Sequence, residues 1–350
     1  MDRHPPALQH DAHRYRVRRL EAALLGVDRR AVRGPSAVAG WLLAAALTTG
    51  CALLAWVRPV AVTDAPILLD AESGTLYVRL DETLHPVLNL TSARLIAGAD
   101  AVPHPVPAAV IGRSRRGPAL GIPGAPQTLG TALTGPFGWA ICDTGGGATA
   151  VLAGLDPPAP LDPQQAVPVT STVSGATYLL YRGRRIAVDP GAVPAVANPV
   201  PALLLGALPE APPNTEIPDR LAVLPTGTTL CVHWRPDDPA AELSAGLPAL
   251  PTAPVGLAQA DGAGPALDGV YLPPGRSAYV RAVGVSGAAG TAGARYLICD
   301  TGVRYPIDDD VVARSLGLPG EPSPVPWPML TGLPVGPLLS RDAALRPPAR

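Results

Sequence analysis

The chain has 350 residues, 27 of them basic and 28 acidic, for a formal net charge of -1. That balance excludes a protein that binds nucleic acid through an overall cationic surface. Every basic residue is Arg and no Lys occurs, while 37 Gly and 45 Pro beside a 47% hydrophobic fraction point to a turn-rich domain of short strands, not a helical bundle.

Residues 1–33 come first and are too few for a domain of their own. Asp11 is placed to cap a helix through the Arg-rich stretch after it. Val17, Leu20, Leu24 and Val27 recur on one stripe, with Arg14, Arg18 and Arg29 largely off it. The segment therefore predicts a cytoplasmic amphipathic helix, resting on anionic lipid or docking partner domains.

Gly34 to Val57 carries no charged residue. A helix crossing the hydrocarbon core needs about 20 mainly apolar residues, so residues 34–57 predict a single transmembrane helix. Trp41 and Trp56 lie near its ends, where indoles favour the interface. Arg3, Arg14, Arg16, Arg18, Arg19, Arg29, Arg30 and Arg33 precede the run, whereas Arg58 is soon followed by Asp64, Asp70 and Glu72. The positive-inside rule then puts the N-terminus in the cytoplasm and the rest outside the plasma (inner) membrane. A cleaved signal peptide would have a shorter apolar run and a small-residue cleavage site. Cys51 comes after Thr48-Thr49-Gly50, which is no lipobox, and reads as an ordinary residue of the membrane helix.

Residues 58–350 are the extracytoplasmic part, and a pattern recurs in them. Thr75 to Leu80 is followed by Leu84 to Asn89, Thr177 to Tyr181 by Arg185 to Asp189, and Arg295 to Asp300 by Arg304 to Asp308. Each pair reads as a hairpin, and the stretch after each hairpin looks helical. Asp308 to Asp310 stand before Val311 to Leu318, where acidic residues cap a helix and complement its dipole. The spaced oxygen ligands of a calcium loop are missing there. Pro103 to Ala125 reads as loop, and Thr229 to Trp234 and Ala278 to Val283 read as further strands. The expected fold is a transmembrane helix followed by an α+β, β-rich domain of small ββα-like repeats around a central β region.

No catalytic, cofactor-binding or metal-binding constellation emerges. A G-x-x-x-x-G-K-[ST] phosphate loop is impossible without Lys, and no G-x-S-x-G elbow or H-E-x-x-H helix occurs. Outside the membrane only His85, His104 and His233 remain, each in a different region. Thr229-Leu230-Cys231 with Arg235 is similar to the nucleophile strand of sortases, which use Cys, His and Arg. A sortase has its His in a specific upstream loop, whereas His104 lies in a Pro-rich stretch. Three thiols face an oxidising compartment, where cysteines tend to pair. Ile141 to Gly145 and Ile298 to Gly302 are near-duplicates, so Cys142 and Cys299 hold equivalent places. The leading assignment is a disulfide between Cys142 and Cys231, the second Cys142 with Cys299. Tyr77, His85 and Trp327 are expected to fill core or turn positions.

Three stretches resemble the EccB family of actinobacterial type VII (ESX) secretion systems. They are His13 to Leu24; Asp64 to Arg79, continuing through Leu84 to Ile96; and Asp300 to Ile307, ending in Pro326-Trp327-Pro328 and Leu333 to Arg341. The resemblance implies a subunit that forms much of the extracytoplasmic assembly of the inner-membrane complex during protein export, and the missing catalytic motifs make the leading reading a non-enzymatic, structural one. It further implies self-association, partners of the EccC, EccD and EccE type, contact with the mycosin protease, and a disulfide in this domain. Nucleotide hydrolysis, proposed for the family, finds no phosphate-binding motif here. The competing readings are a cell-wall-binding anchor module and a sortase-like enzyme.

Overall fold

The structure, a computed structural model, describes residues 16–17, 20, 35–57 and 64–348, apart from 145–146, 157, 194–195, 213–214, 217–219, 223, 226, 239 and 286–292. It divides into two units, Met1–Thr63 and Asp64–Arg350.

In the first unit the cytoplasmic stripe lies almost wholly outside the described residues; Arg16, Val17 and Leu20 are helical and exposed. A helix runs over Pro35–Val57, starting where Pro suits the first turn. The surroundings of its side chains are described for residues 39–51. Among the described residues no helix is long and apolar enough to cross a membrane.

The second unit holds four sheets among its described residues. Three of them share one plan. In the first, Ile67–Asp70, Leu76–Leu80 and Thr83–Val87 form an antiparallel meander. A helix, Leu90–Ala97, then carries the chain back, and His104–Val106 adds itself parallel to the first strand. Finally Arg115–Arg116 lies parallel to the third strand. The second sheet repeats the order with Val167–Ser171, Thr177–Tyr181 and Arg184–Val188, and Asn198–Val200 returns parallel to its first strand. The third does so with Arg276–Val283, Arg295–Cys299 and Arg304–Ile307, closed by Ser323–Pro326.

The local causes are legible. Asp81 and Arg182 take positive φ at the tips of the first two hairpins, and Gly183 comes after Arg182 with φ 69°; two-residue connections need this left-handed backbone to match strand twist. After the first hairpin Asn89 caps the helix: its Oδ1 accepts from Ser92 N at 2.8 Å, while its Nδ2 donates to the Ile122 carbonyl at 2.9 Å. Ser92 Oγ accepts from Ile122 N, and Thr91 donates to the Pro126 carbonyl. One helix terminus thus ties down residues 122–126. Asn89→Ala should cost about 2–3 kcal/mol, a lost cap plus an orphaned buried carbonyl. Chemical denaturation reads it directly.

Two expectations need correction. Pro103 to Ala125 is not simply loop: it supplies the returning strand His104–Val106, a helix Ala108–Arg113 and the edge strand Arg115–Arg116. After the second hairpin comes only a 3-10 turn, Pro190–Ala192. Pro190 starts it, and another Pro at 194 has no N–H with which to extend a helix.

The fourth, central sheet runs in the order Glu242–Ala245, Leu230–Trp234, Trp139–Asp143, Thr149–Ala153, Gly269–Tyr271, Val255–Gly256. Its middle strands are buried throughout. One face joins Trp139, Ile141, Val151 and Val232 to residues of the second sheet (Val169, Leu180) and third sheet (Val280, Ile298). Alternation sends the other side chains of the third sheet, including Tyr279, Leu297 and Tyr305, into a separate core with the helix Leu90–Ala97. The third sheet is therefore the shared wall between two cores.

Candidate functional site

On the opposite face of the central sheet, Cys142 and Cys231 stand directly across adjacent antiparallel strands. They form a disulfide, with Cα atoms 4.1 Å apart and a sequence separation of 89. Ala140, Leu152 and Tyr271 pack around it. Two residues along the same strand, His233 Nε2 lies 2.7 Å from Ser244 Oγ, both side chains buried. Burial pushes the imidazole down from 6.5 to about 4, so His233 is neutral at neutral pH.

This geometry answers the sortase likeness. The Cys231 sulfur is bonded to Cys142 and fully buried, which leaves no thiolate for attack. Arg235 pairs with Asp237 at 2.9 Å. His104 lies on an edge strand of the first sheet, exposed.

Cys299, the alternative partner for Cys142, is a buried free thiol facing the core beside the first sheet. Burial, reinforced by the Asp300 charge, pushes it up to about 12. At pH 8 only about one molecule in ten thousand is then thiolate. Maleimide should label Cys299 in the unfolded chain and leave it untouched in the native one, as peptide mass spectrometry would register.

A cleft of about 340 Å³ opens between the tip of the second hairpin and the edge strand of the central sheet, lined among others by Asp162, Gln164, Arg182, Glu242 and Leu243. Gly183 is required there, because a Cβ would run into the Ala241 carbonyl. Arg182 lies over the Tyr181 ring, 5.0 Å from its centre, and donates to Gln164 Oε1 at 3.4 Å. Asp162 accepts from Gln164 N and from Gln165 Nε2. One arginine without lysine or a glycine-rich loop is poor equipment for a triphosphate. Among the described residues no group of three or more His, Cys, Asp or Glu is placed to hold a metal. Asp309 instead caps the helix Asp310–Ser315 by accepting from Val312 N, and Asp310 pairs with Arg295.

Sequence reasoning missed two features. Each returning strand carries Pro-Val-Pro, at 105–107, 199–201 and 324–326, and that triplet is the signal that could have located it. The second is a ring contact: Trp327 holds a turn position, one of the two expected of it, but is 40% exposed there and stacks on Arg304.

These features define a class: mixed α/β, β-rich proteins whose small sheets pack on a disulfide-bridged central sheet. The family model described as type VII secretion system ESX-1, transport TM domain B, matches residues 7–220 and 200–347. The ESX-3 secretion system ATPase EccB3 of Mycolicibacterium smegmatis is 30% identical, covering 95% of this chain and 88% of that protein. The ESX-5 secretion system ATPase EccB5 of Mycobacterium marinum is 27% identical, covering 88% and 85%. The chain belongs to the EccB family. Among solved structures, the EccB3 dimer from the ESX-3 core complex matches with a TM-score of 0.67 at 28% identity, covering 81% of this chain and 100% of that one. A chain of the intact ESX-5 inner membrane complex matches at 0.69 over 100% of this chain and 96% of its own, a likeness of fold at 24% identity.

Proposed function

We propose that this chain is a structural subunit of a type VII secretion inner-membrane complex and builds part of its extracytoplasmic assembly. The observation that carries the reading is the family match, which runs from residue 7, before the apolar helix, to residue 347 near the end of the β-rich unit. Solved relatives are described as parts of an ESX-5 inner membrane complex and as an EccB3 dimer; membership of such a complex and self-association are taken over from them. Partners of the EccC, EccD and EccE type and the mycosin protease complete the proposal.

Residues 34–57 serve as the single membrane anchor, with 1–33 cytoplasmic and 58–350 outside. Although among the described residues no helix is long and apolar enough to cross a membrane, the sequence carries the anchor reading: the uncharged run from Gly34 to Val57 would span about 36 Å as a helix at 1.5 Å per residue. Its Trp41, Leu42, Leu43 and Leu47 are all exposed, and apolar side chains in that setting call for lipid or neighbouring helices as solvent. The arginine asymmetry supports the orientation, and the disulfide suits an oxidising compartment. The three sheets of common order are taken as copies of one module, larger than hairpin plus helix, set around the central sheet.

The chain works without catalysis of its own. Relatives carry ATPase in their names, but the absence of any lysine and of a phosphate loop supports a purely structural role. Purification from native membranes in mild detergent should bring down an ATPase and a multispanning membrane protein in stable proportion. Recovery alone, or with wall fragments only, would turn the reading toward an anchoring module. ATP turnover by the isolated chain, above that of the buffer, would overturn the non-enzymatic part.

A further inference from the structure

Arg304 opens the last strand of the third sheet's meander, and its residue is only 8% exposed. Its guanidinium carbon lies 4.8 Å from the centre of the Trp327 ring and 5.3 Å from that of Tyr296. The two rings are 6.1 Å apart. Nε donates to the Leu333 carbonyl at 3.2 Å, which fixes the plane of the fork. Among the described residues no carboxylate pairs with this cation.

The two Nη groups donate to no protein acceptor among the described residues. Nor are they sealed in, as the unpaired Nε atoms of Arg94, Arg276 and Arg281 are, so the forked edge reaches the surface. Around it Trp327 is 40% and Val335 62% exposed.

A mostly buried charge without a counter-charge is costly, and a carboxylate is the group whose geometry matches both Nη donors at once. Arg, Trp and Tyr are also the residues that most often dominate protein interfaces. We propose that Tyr296, Arg304 and Trp327 form a carboxylate-binding site that receives an acidic side chain of a different polypeptide, with Trp327 and Val335 covering apolar residues beside it. A second copy of this chain is disfavoured as the occupant. Two-fold pairing of the patch on itself would have to draw the acid from the patch's own surroundings; there Asp309 caps a helix and Asp310 pairs with Arg295, which leaves the exposed Asp308 as the self-pairing candidate that the test separates.

The proposal rests on the assembly reading in requiring a protein partner. The test replaces Val335, which flanks the site and leaves its three residues intact, with a photo-crosslinking phenylalanine in the full-length chain, irradiates native membranes, and sequences the crosslinked peptides. The expected peptide comes from another protein and carries an Asp or Glu beside the crosslinked residue. Arg304→Gln should lower that yield about tenfold, as removal of a charge-assisted contact worth 1.4 kcal/mol does. Crosslinks to a second copy, to lipid or polysaccharide, to a peptide without a carboxylate, or none at all would overturn the site. If Arg304→Gln proves unfolded by its thermal transition, the identity of the peptide crosslinked by the protein that keeps Arg304 still decides. Co-purification scored on the same membranes separates the two failures. A complex recovered without the acidic crosslink sinks the site alone, and no complex sinks both.

Discussion

Replacing Cys142 and Cys231 together by alanine is expected to destabilise the extracytoplasmic unit by about 4–5 kcal/mol, the loop-closure entropy of a crosslink that spans close to a hundred residues. The bridge joins strands 89 residues apart in sequence, in the middle of a sheet buried on both faces. Everything between, including the second sheet, is held in that closed loop. Reduction of the wild type under denaturant should reproduce the loss, because the native contacts around Ala140, Leu152 and Tyr271 are unchanged by it. Urea titrations of the full-length chain, with and without reductant, read the effect as a shifted midpoint. A difference below about 1 kcal/mol, the level of an ordinary substitution, would mean that strand packing alone carries this sheet.

The second large effect is a pH dependence centred on His233. Its folded value, about 4, lies below the 6.5 of the unfolded chain because burial disfavours the imidazolium. The unfolded chain therefore binds the extra proton between these values. The stability contribution is complete above pH 6.5 and is lost as pH falls towards 4. The loss amounts to about 3 kcal/mol, at 1.36 kcal/mol for each pH unit between the two values. His233→Gln keeps a hydrogen-bonding group for Ser244 but cannot titrate in this range. The stability gap between the two proteins should thus narrow steadily from pH 7 to pH 4. A gap that stays constant would show that His233 is charged in the folded chain or free to reach water.

Much of the architecture was readable beforehand. Hairpins at Leu76–Val87, Thr177–Val188 and Arg295–Ile307 arise from alternating apolar residues bounded by polar turns, a signal carried within a dozen residues. The Asp309 cap was likewise visible, since acceptor and helix are neighbours. The returning strands were not. Asn198–Val200 carries a proline, which lacks a ladder donor, and reads as loop by any local rule. It is a strand because Val169 to Ser171 offers it a parallel edge.

What this sequence determined by itself was whatever depends on near neighbours: the uncharged apolar run at 34–57 with arginines on one side, the three hairpins, and the family likeness spread over them. Tertiary structure alone decided the rest. It chose Cys231 over Cys299 as the partner of Cys142 by placing the first two in register and turning the third into another core. It also brought Tyr296, Arg304 and Trp327 together from three separate strands and turns. Contacts at such separations are selected by burial of whole faces and by the need to satisfy backbone groups across strands, and neither leaves a period in the chain that a local reading can detect.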